Sequence, residues 1–408
     1  MKHILLLVIS FVLFLTVSCE RISIDTPPTD PVPLTLTRSQ MEYVDNGNTF
    51  AANLLELIDK KEAGNDYFFS PLSVQMALSM LLNGTDGEAF EELCNVLGYG
   101  DDLQSVNDFC QQMIERSPTW DSKVKLSLAN AMVGNDKYTF KAPYVNTLKN
   151  VFSAEVCNMD FSHKAKVLNH INNWSKDKTN GMIPIILDDI DPESTLFLMN
   201  ALYFSGSWLF PFDKKTTKKS TFHCENGKTA SVHMMSINET LRYSHGAGWK
   251  SVELPYGNGR AFSLHIILPE ENATIHSIVE QINESGWLPI FAKGPAIVDV
   301  KLPRFETSYS EPFFKDYIKN LGANKIFKKG YFSKITDIDC YVSEVIHKAK
   351  IKVTEEGTEA SASTVVDMKL TTGMSEFVSF ICDRPFLYVI TENTTGAIFF
   401  VGKYGGNQ

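Results

Sequence analysis

The period of the hydrophobic positions changes repeatedly along the chain, and each change marks an element. In "FAANLLELIDKKEAG" the residues Phe50, Leu54, Leu57 and Ile58 share one face of a helical repeat that stops at Gly64, which predicts an amphipathic helix. "SPLSVQMALSMLLNG" is apolar nearly all round, with Ser70 at the N-cap, Pro71 in the first turn and Gly84 past the end. That segment predicts a buried helix. Further helices are predicted over 88–97, 103–114, 143–151, 165–178, 275–285 and 311–321. Strand patterns fill "LSLANAMV", "AEVCNMDF", "STLFLMNALYF", "TASVHMM", "FSLHIILP", "AIVDVKLPRF", "CYVSEVIHKAKIKV" and "FVSFIC". "PFLYVITENTTGAIFFVGK" then reads as a hairpin with Gly396 in its turn. Helices gather early and strands late, so a single α+β domain over 38–408 is expected, not a doubly wound α/β fold.

The start of the chain reads as an address. "MKH" is followed by an apolar or small run from Ile4 to Ser18, too short to span a bilayer comfortably and suited to an export signal. "LTVSC" ends that run at Cys19 and resembles the lipobox of bacterial lipoproteins, in which the Cys thiol is acylated. Residues 1–19 are therefore expected to be a signal and Cys19 a lipid anchor in a bacterial envelope, or else the protein is secreted. Residues 20–37, with Pro27, Pro28, Pro31 and Pro33, read as an extended tether.

Composition narrows the function classes. With 408 residues, 44% hydrophobic and 21% charged, the chain can bury a large core. Its net charge of −10 argues against nucleic acid or anionic membrane as a partner, because both need a clustered positive face. The Lys pairs at 214/215, 218/219 and 328/329 read as solvated loop charges. None of the seven cysteines sits in a CxxC pair or a His cluster, so no metal site and no cofactor are expected. With Cys19 acylated, six remain, and buried free thiols are the expectation, although export would allow pairing. No GxSxG, P-loop, GxGxxG or HExxH motif is present. Ser70 and His347 could be drawn as nucleophile and base of a surface hydrolase, but capping explains Ser70 and a hydrogen-bonded core His explains His347. The protein is not expected to be an enzyme.

One stretch resists an ordinary reading. In "VTEEGTEASASTVVDMKLTTGM", Thr358, Ala360, Ala362, Thr364, Val366, Met368 and Leu370 fall on one face of an extended chain. Glu359, Ser361, Ser363, Val365, Asp367, Lys369 and Thr371 fall on the other. The first face is small, then apolar; the second is mostly polar. Ala and Ser hold a strand poorly by themselves, so the segment can stand outside as a loop and still fit a sheet later. A flexible linker has no reason to keep this alternation.

"EEGTEASAST" resembles the hinge of inhibitory serpins, and the resemblance extends over 38–408. "FFSPLSVQMALSMLLNG", "FLMNALYFSGSWLFPF", "VKLPRF", "VIHKAKIKVTEEGTEA" and "DRPFLYVITENTTGAIFFVGK" are similar to serpin blocks, in serpin order. The resemblance implies a large central mixed sheet with surrounding helices, further sheets and an exposed reactive loop over about 355–376. It implies a suicide-substrate inhibitor of serine endopeptidases, with cysteine endopeptidases as a second target class. The protease acylates on the loop, and the cut loop enters the sheet and carries the protease with it. The implied hinge is Glu356, Gly357, Thr358, Glu359, Ala360, Ser361, Ala362, Ser363 and Thr364, with Gly357 supplying the bend. Ser70, Ser73, Asn200 and His347 match a polar network beneath the sheet's opening, and Trp208 the aromatic where the loop enters. Counting from Gly357 sets the scissile bond at Thr371–Thr372; Lys369, Leu370 and Met374 are alternatives. Target serine proteases are the implied partners, and a monomer is expected. A non-inhibitory serpin-fold protein, binding or chaperone-like, is the alternative.

Overall fold

The computed structural model describes residues 34–311, 314–342, 345–358 and 377–406. In chain order the elements are α1 (Arg38–Lys61), β1 (Tyr67–Phe69), α2 (Pro71–Leu82), α3 (Gly87–Leu97), α4 (Leu103–Arg116), β2 (Val124–Asn135), α5 (Ala142–Asn150), β3 (Glu155–Met159), α6 (Lys164–Lys178) and β4 (Leu196–Ser207). Then come β5 (Lys218–His223), β6 (Thr229–Gly246), β7 (Trp249–Tyr256), β8 (Phe262–Pro269), α7 (Ile275–Ser285), β9 (Gly294–Pro303), β10 (Phe305–Glu311) and α8 (Phe314–Leu321). The chain continues with β11 (His347–Thr354), β12 (Gly357–Thr358), β13 (Phe377–Ile381), β14 (Phe386–Glu392) and β15 (Ile398–Tyr404). Helices crowd the first half and strands the second, the α+β arrangement expected. The predicted export signal, Cys19 and all but the last four tether residues lie outside the described residues.

Side-chain caps fix where the helices begin. Thr37 and Gln40 exchange bonds in a capping box ahead of α1. Ser70 accepts from the Ser73 amide at the start of α2, with Pro71 in the first turn. The structure starts α1 twelve residues before Phe50, because Tyr43, Val44 and Gly47 continue its buried face. The helix predicted from 311 starts at Phe314, since residues 305–311 instead pair with β11. The strand predicted from Cys340 starts only at His347.

The strands form two sheets. One runs β1-β15-β14-β8-β7-β6-β9-β13, with β5 also paired to β6. The other runs β10-β11-β12-β4-β2-β3. Between them packs an aromatic core in which Phe204 meets Tyr256, Phe262 and Phe400 edge-on, and Trp120 meets Phe262 and Phe399. α2 lies buried against this core and presents its N-terminus to the six-stranded sheet. On the sheet's outer face Val167, Ile171 and Trp174 of α6 cover Ala131, Val133, Met199 and Ala201 in a second cluster.

Strand β7 was not foreseen, because Lys250, Ser251, Glu253 and Pro255 interrupt its apolar pattern. Its polar groups are satisfied by partners that only folding brings near: Ser251 donates to the Ile290 carbonyl and Glu253 accepts from Ser263 beside Arg242. All six described cysteines are free thiols.

Phe204 ties the site-bearing strand β4 to the opposite sheet. Phe204→Ala is expected to cost about 3–5 kcal/mol through lost burial and the cavity left behind, read as a lower midpoint with unchanged slope in denaturant unfolding.

Candidate functional site

The six-stranded sheet is built around a two-residue strand. β12 pairs antiparallel with β11 through Val353↔Thr358 and Thr354↔Gly357, and antiparallel with β4 through Gly357↔Ser207 and Thr358↔Gly206. β11 and β4 therefore run parallel to each other, set about 10 Å apart at this level by the strand between them. Gly357 has φ 149°, a conformation open to glycine and strained for other residues. Thr358 points inward at 2% exposure, its hydroxyl bonded to Tyr256.

A polar clamp fixes the turn that feeds this strand. Trp208 stacks on Tyr256 at 4.3 Å and donates from Nε1 to the Thr354 carbonyl at 2.9 Å. The backbone amides of Trp208 and Phe212 donate to the carbonyls of Glu356 and Glu355. Glu355, 1% exposed, accepts from Arg304 at 2.5 Å and Thr217 at 2.8 Å. Burial alone would raise its pKa. The bonds from Arg304 and Thr217, with the Arg304 charge, outweigh that and hold the carboxyl below its usual value. Lys214 pairs with Glu356 on the exposed side.

Deeper under the sheet, side chains from three elements form one chain of bonds. Ser70 donates from Oγ to the Phe399 carbonyl at 2.7 Å and accepts from the Ser73 amide. Ser73 Oγ donates to Asn200 Oδ1 at 2.6 Å; Asn200 Nδ2 donates to Asn130 Oδ1 at 2.8 Å; Asn130 Nδ2 donates to the Phe152 carbonyl. Asn130 and Asn200 are register partners across β2 and β4. His347, at the start of β11, accepts through Nε2 from the Ser70 amide at 3.1 Å and packs on Phe314. α2 is thus bonded to strands on both sides of β12.

Ser70 and His347, the two hydrolase candidates, are each engaged in a structural bond: the Ser70 hydroxyl donates to the Phe399 carbonyl, and the His347 ring accepts from the Ser70 amide. The His347 imidazole faces the Ser70 backbone N–H, not its hydroxyl, and both side chains are buried. The structure brings Ser70, Ser73, Asn200 and His347 together, and Trp208 together with Glu356, Gly357 and Thr358. Glu359 to Thr364, the bond Thr371–Thr372 and the alternatives Lys369, Leu370 and Met374 lie outside the described residues. Sequence reasoning missed Asn130, Thr217, Tyr256 and Arg304. Only Asn130 carried a signal, as an amide amid the apolar strand "LSLANAMV".

Burial pushes the His347 pKa down to about 4, because a charged ring there would lose its water and face an N–H donor. The unfolded chain then binds the proton first, so this contribution to stability is whole above about pH 6.5 and is lost as the pH falls toward 4. Wild-type protein is expected to lose roughly 3 kcal/mol over that window relative to His347→Gln, which can accept the same bond without charging. Denaturant titrations of both proteins at several pH values check this, and parallel curves would contradict it.

The serpin (serine protease inhibitor) family model matches residues 45–405. Glia-derived nexin of Homo sapiens is 33% identical over 88% of this chain and 92% of its own. A serine protease inhibitor of Cyanea capillata is 33% identical over 82% of this chain and 90% of its own. Among solved structures, the thermophilic serpin tengpin in its native state superposes with a TM-score of 0.80 at 29% identity, covering 92% of this chain and 97% of that one. The chain belongs to the serpin family, whose members are mostly protease inhibitors.

Proposed function

We propose that this protein inhibits serine endopeptidases as a suicide substrate, by inserting its cut reactive loop between β11 and β4. The observation that carries the reading is β12 itself, two residues of the hinge already laddered on both sides. Continued past Thr358, the same register would set Ala360 beside Phe204 and Ile351, and Ala362 beside Leu202 and Ala349. Thr364 would arrive between Asn200 and His347, at the clamp that joins α2 to the sheet. Val366 and Met368 would reach Leu198 and Leu196, which line an apolar cavity of about 90 Å³ with Ala77, Leu78 and Leu81 of α2.

The energetics favour entry at the far end of the loop. Ladder bonds contribute about 0.5–1.5 kcal/mol each, which the cost of fixing each residue, about 1–2 kcal/mol, largely cancels. Burial of Val366 and Met368 adds about 1.5–3 kcal/mol apiece. Small residues come first and apolar ones last, so early steps meet little steric resistance and late steps supply the drive. Cys19 would tether the inhibitor to a bacterial envelope through its acyl chain.

Mixing the protein with a panel of serine proteases is expected to give an SDS-resistant complex, with a released fragment that mass spectrometry places after Thr371. Cleavage without complex would support the non-inhibitory alternative. Thr358→Arg is expected to be cut yet to lose complex yield by at least about tenfold, since an unpaired charge would have to enter the position Thr358 now buries. Cleaved wild-type protein is expected to melt well above the intact form in calorimetry, and equal melting temperatures would count against insertion.

A further inference from the structure

The Lys pairs after β4 do not sit in an isolated loop; they flank the hinge. Lys214 pairs with Glu356, and Thr217 bonds Glu355. From there the chain enters β5, an edge strand paired only to β6, with Lys218, Lys219, Ser220 and Thr221 all exposed. Lys219 lies opposite exposed His233, and His223 opposite Thr229. Lys228 stands in the turn between the strands, and Arg304 comes alongside through its amide bond to the His233 carbonyl.

Two carboxylates in this segment do little to offset these charges. Glu225 is held by the buried Lys403, and Asp213 accepts from the Lys215 amide in its own turn. Lys215, Lys218, Lys219 and Lys228 have no carboxylate partner among the described residues. A chain of net charge −10 thus gathers cations without carboxylate partners, among the described residues, in one hairpin and the segment leading into it, which bonds the Glu355–Glu356 turn. Such a patch creates a local positive potential that survives in an otherwise repulsive field, and it acts on whatever approaches the loop.

We propose that the β5–β6 hairpin is a docking surface for the protease itself, and that it selects proteases whose active-site rim is acidic. The inference rests on the inhibitory reading, because only a protease engaged on the loop is brought against this face. Complementary charge at the rim of an interface raises the rate of encounter more than the final affinity. The consequence is kinetic: the lysines set how fast the loop is found, not whether the trap closes.

The test uses the full chain and subtilisin, whose broad specificity does not depend on which loop bond is cut, in two surface variants with added Glu or added Lys around the active site. Rates of covalent complex formation are measured from low to high salt for wild-type inhibitor and for the triple variant K215E/K218E/K219E. With acidic-rimmed subtilisin the triple variant is expected to react about tenfold more slowly at low salt and equally fast at high salt, with unchanged stoichiometry. With basic-rimmed subtilisin the order reverses. Equal rates and salt slopes for both inhibitors, with complexes still forming, would overturn the docking surface alone. Failure of the wild type to form any complex would overturn both this and the inhibitory reading. Retention of the wild type, but not the variant, on a sulfated polysaccharide column with protease rates unchanged would assign the patch to an anionic polymer instead.

Discussion

The structure turns on a sheet that bonds to two residues as if they were a full strand. Gly357 and Thr358 satisfy β11 on one edge and β4 on the other, and everything around them serves to hold that pairing in register. Backbone groups at a sheet edge demand partners, so two facing edges set one strand apart define a position as firmly as a side-chain pocket defines a ligand. Gly357 provides the turn into that position, and Tyr256 receives the Thr358 hydroxyl there.

Two polar groups of contacts then divide the labour. The upper one, Trp208 with Arg304, Thr217 and Lys214 on the Glu355–Glu356 turn, fixes where the chain enters. The lower one joins α2 to β4, β2 and β11 through Ser70, Ser73, Asn200, Asn130 and His347. Each donor in the lower chain has a defined acceptor, which is what makes a buried network stabilising. Its bonds span both sides of the strand position, so anything advancing along that position must meet them. Charging His347 would turn an acceptor into a second donor facing an N–H, and burial is what keeps the ring neutral.

Much of this was legible in the residues. The Gly357–Thr358 start of the small, alternating stretch read as extended chain and pairs as β12, and Ser70 with Pro71 announced the start of α2. Elements with a clean period, such as α7 and β8, begin and end as predicted. What escaped depended on partners distant in sequence. β7 hid because its Ser and Glu side chains find acceptors and donors only in the folded chain. β10 hid because Phe305, Thr307 and Tyr309 alternate with polar residues that a short window reads as loop. Arg304 and Thr217 declare themselves only once Glu355 is seen buried between them. Lys218 and Lys219 looked like ordinary loop charges until the sheet placed them, exposed, on an edge strand.

A crystal structure of the protein after cleavage in its reactive loop addresses the account most directly. The register of β12 predicts that Ala362 will lie between Leu202 and Ala349, and Thr364 between Asn200 and His347, as a continuous strand antiparallel to both neighbours. A cleaved molecule in which β11 and β4 still share only Gly357 and Thr358, with residue 362 in solvent, would contradict it.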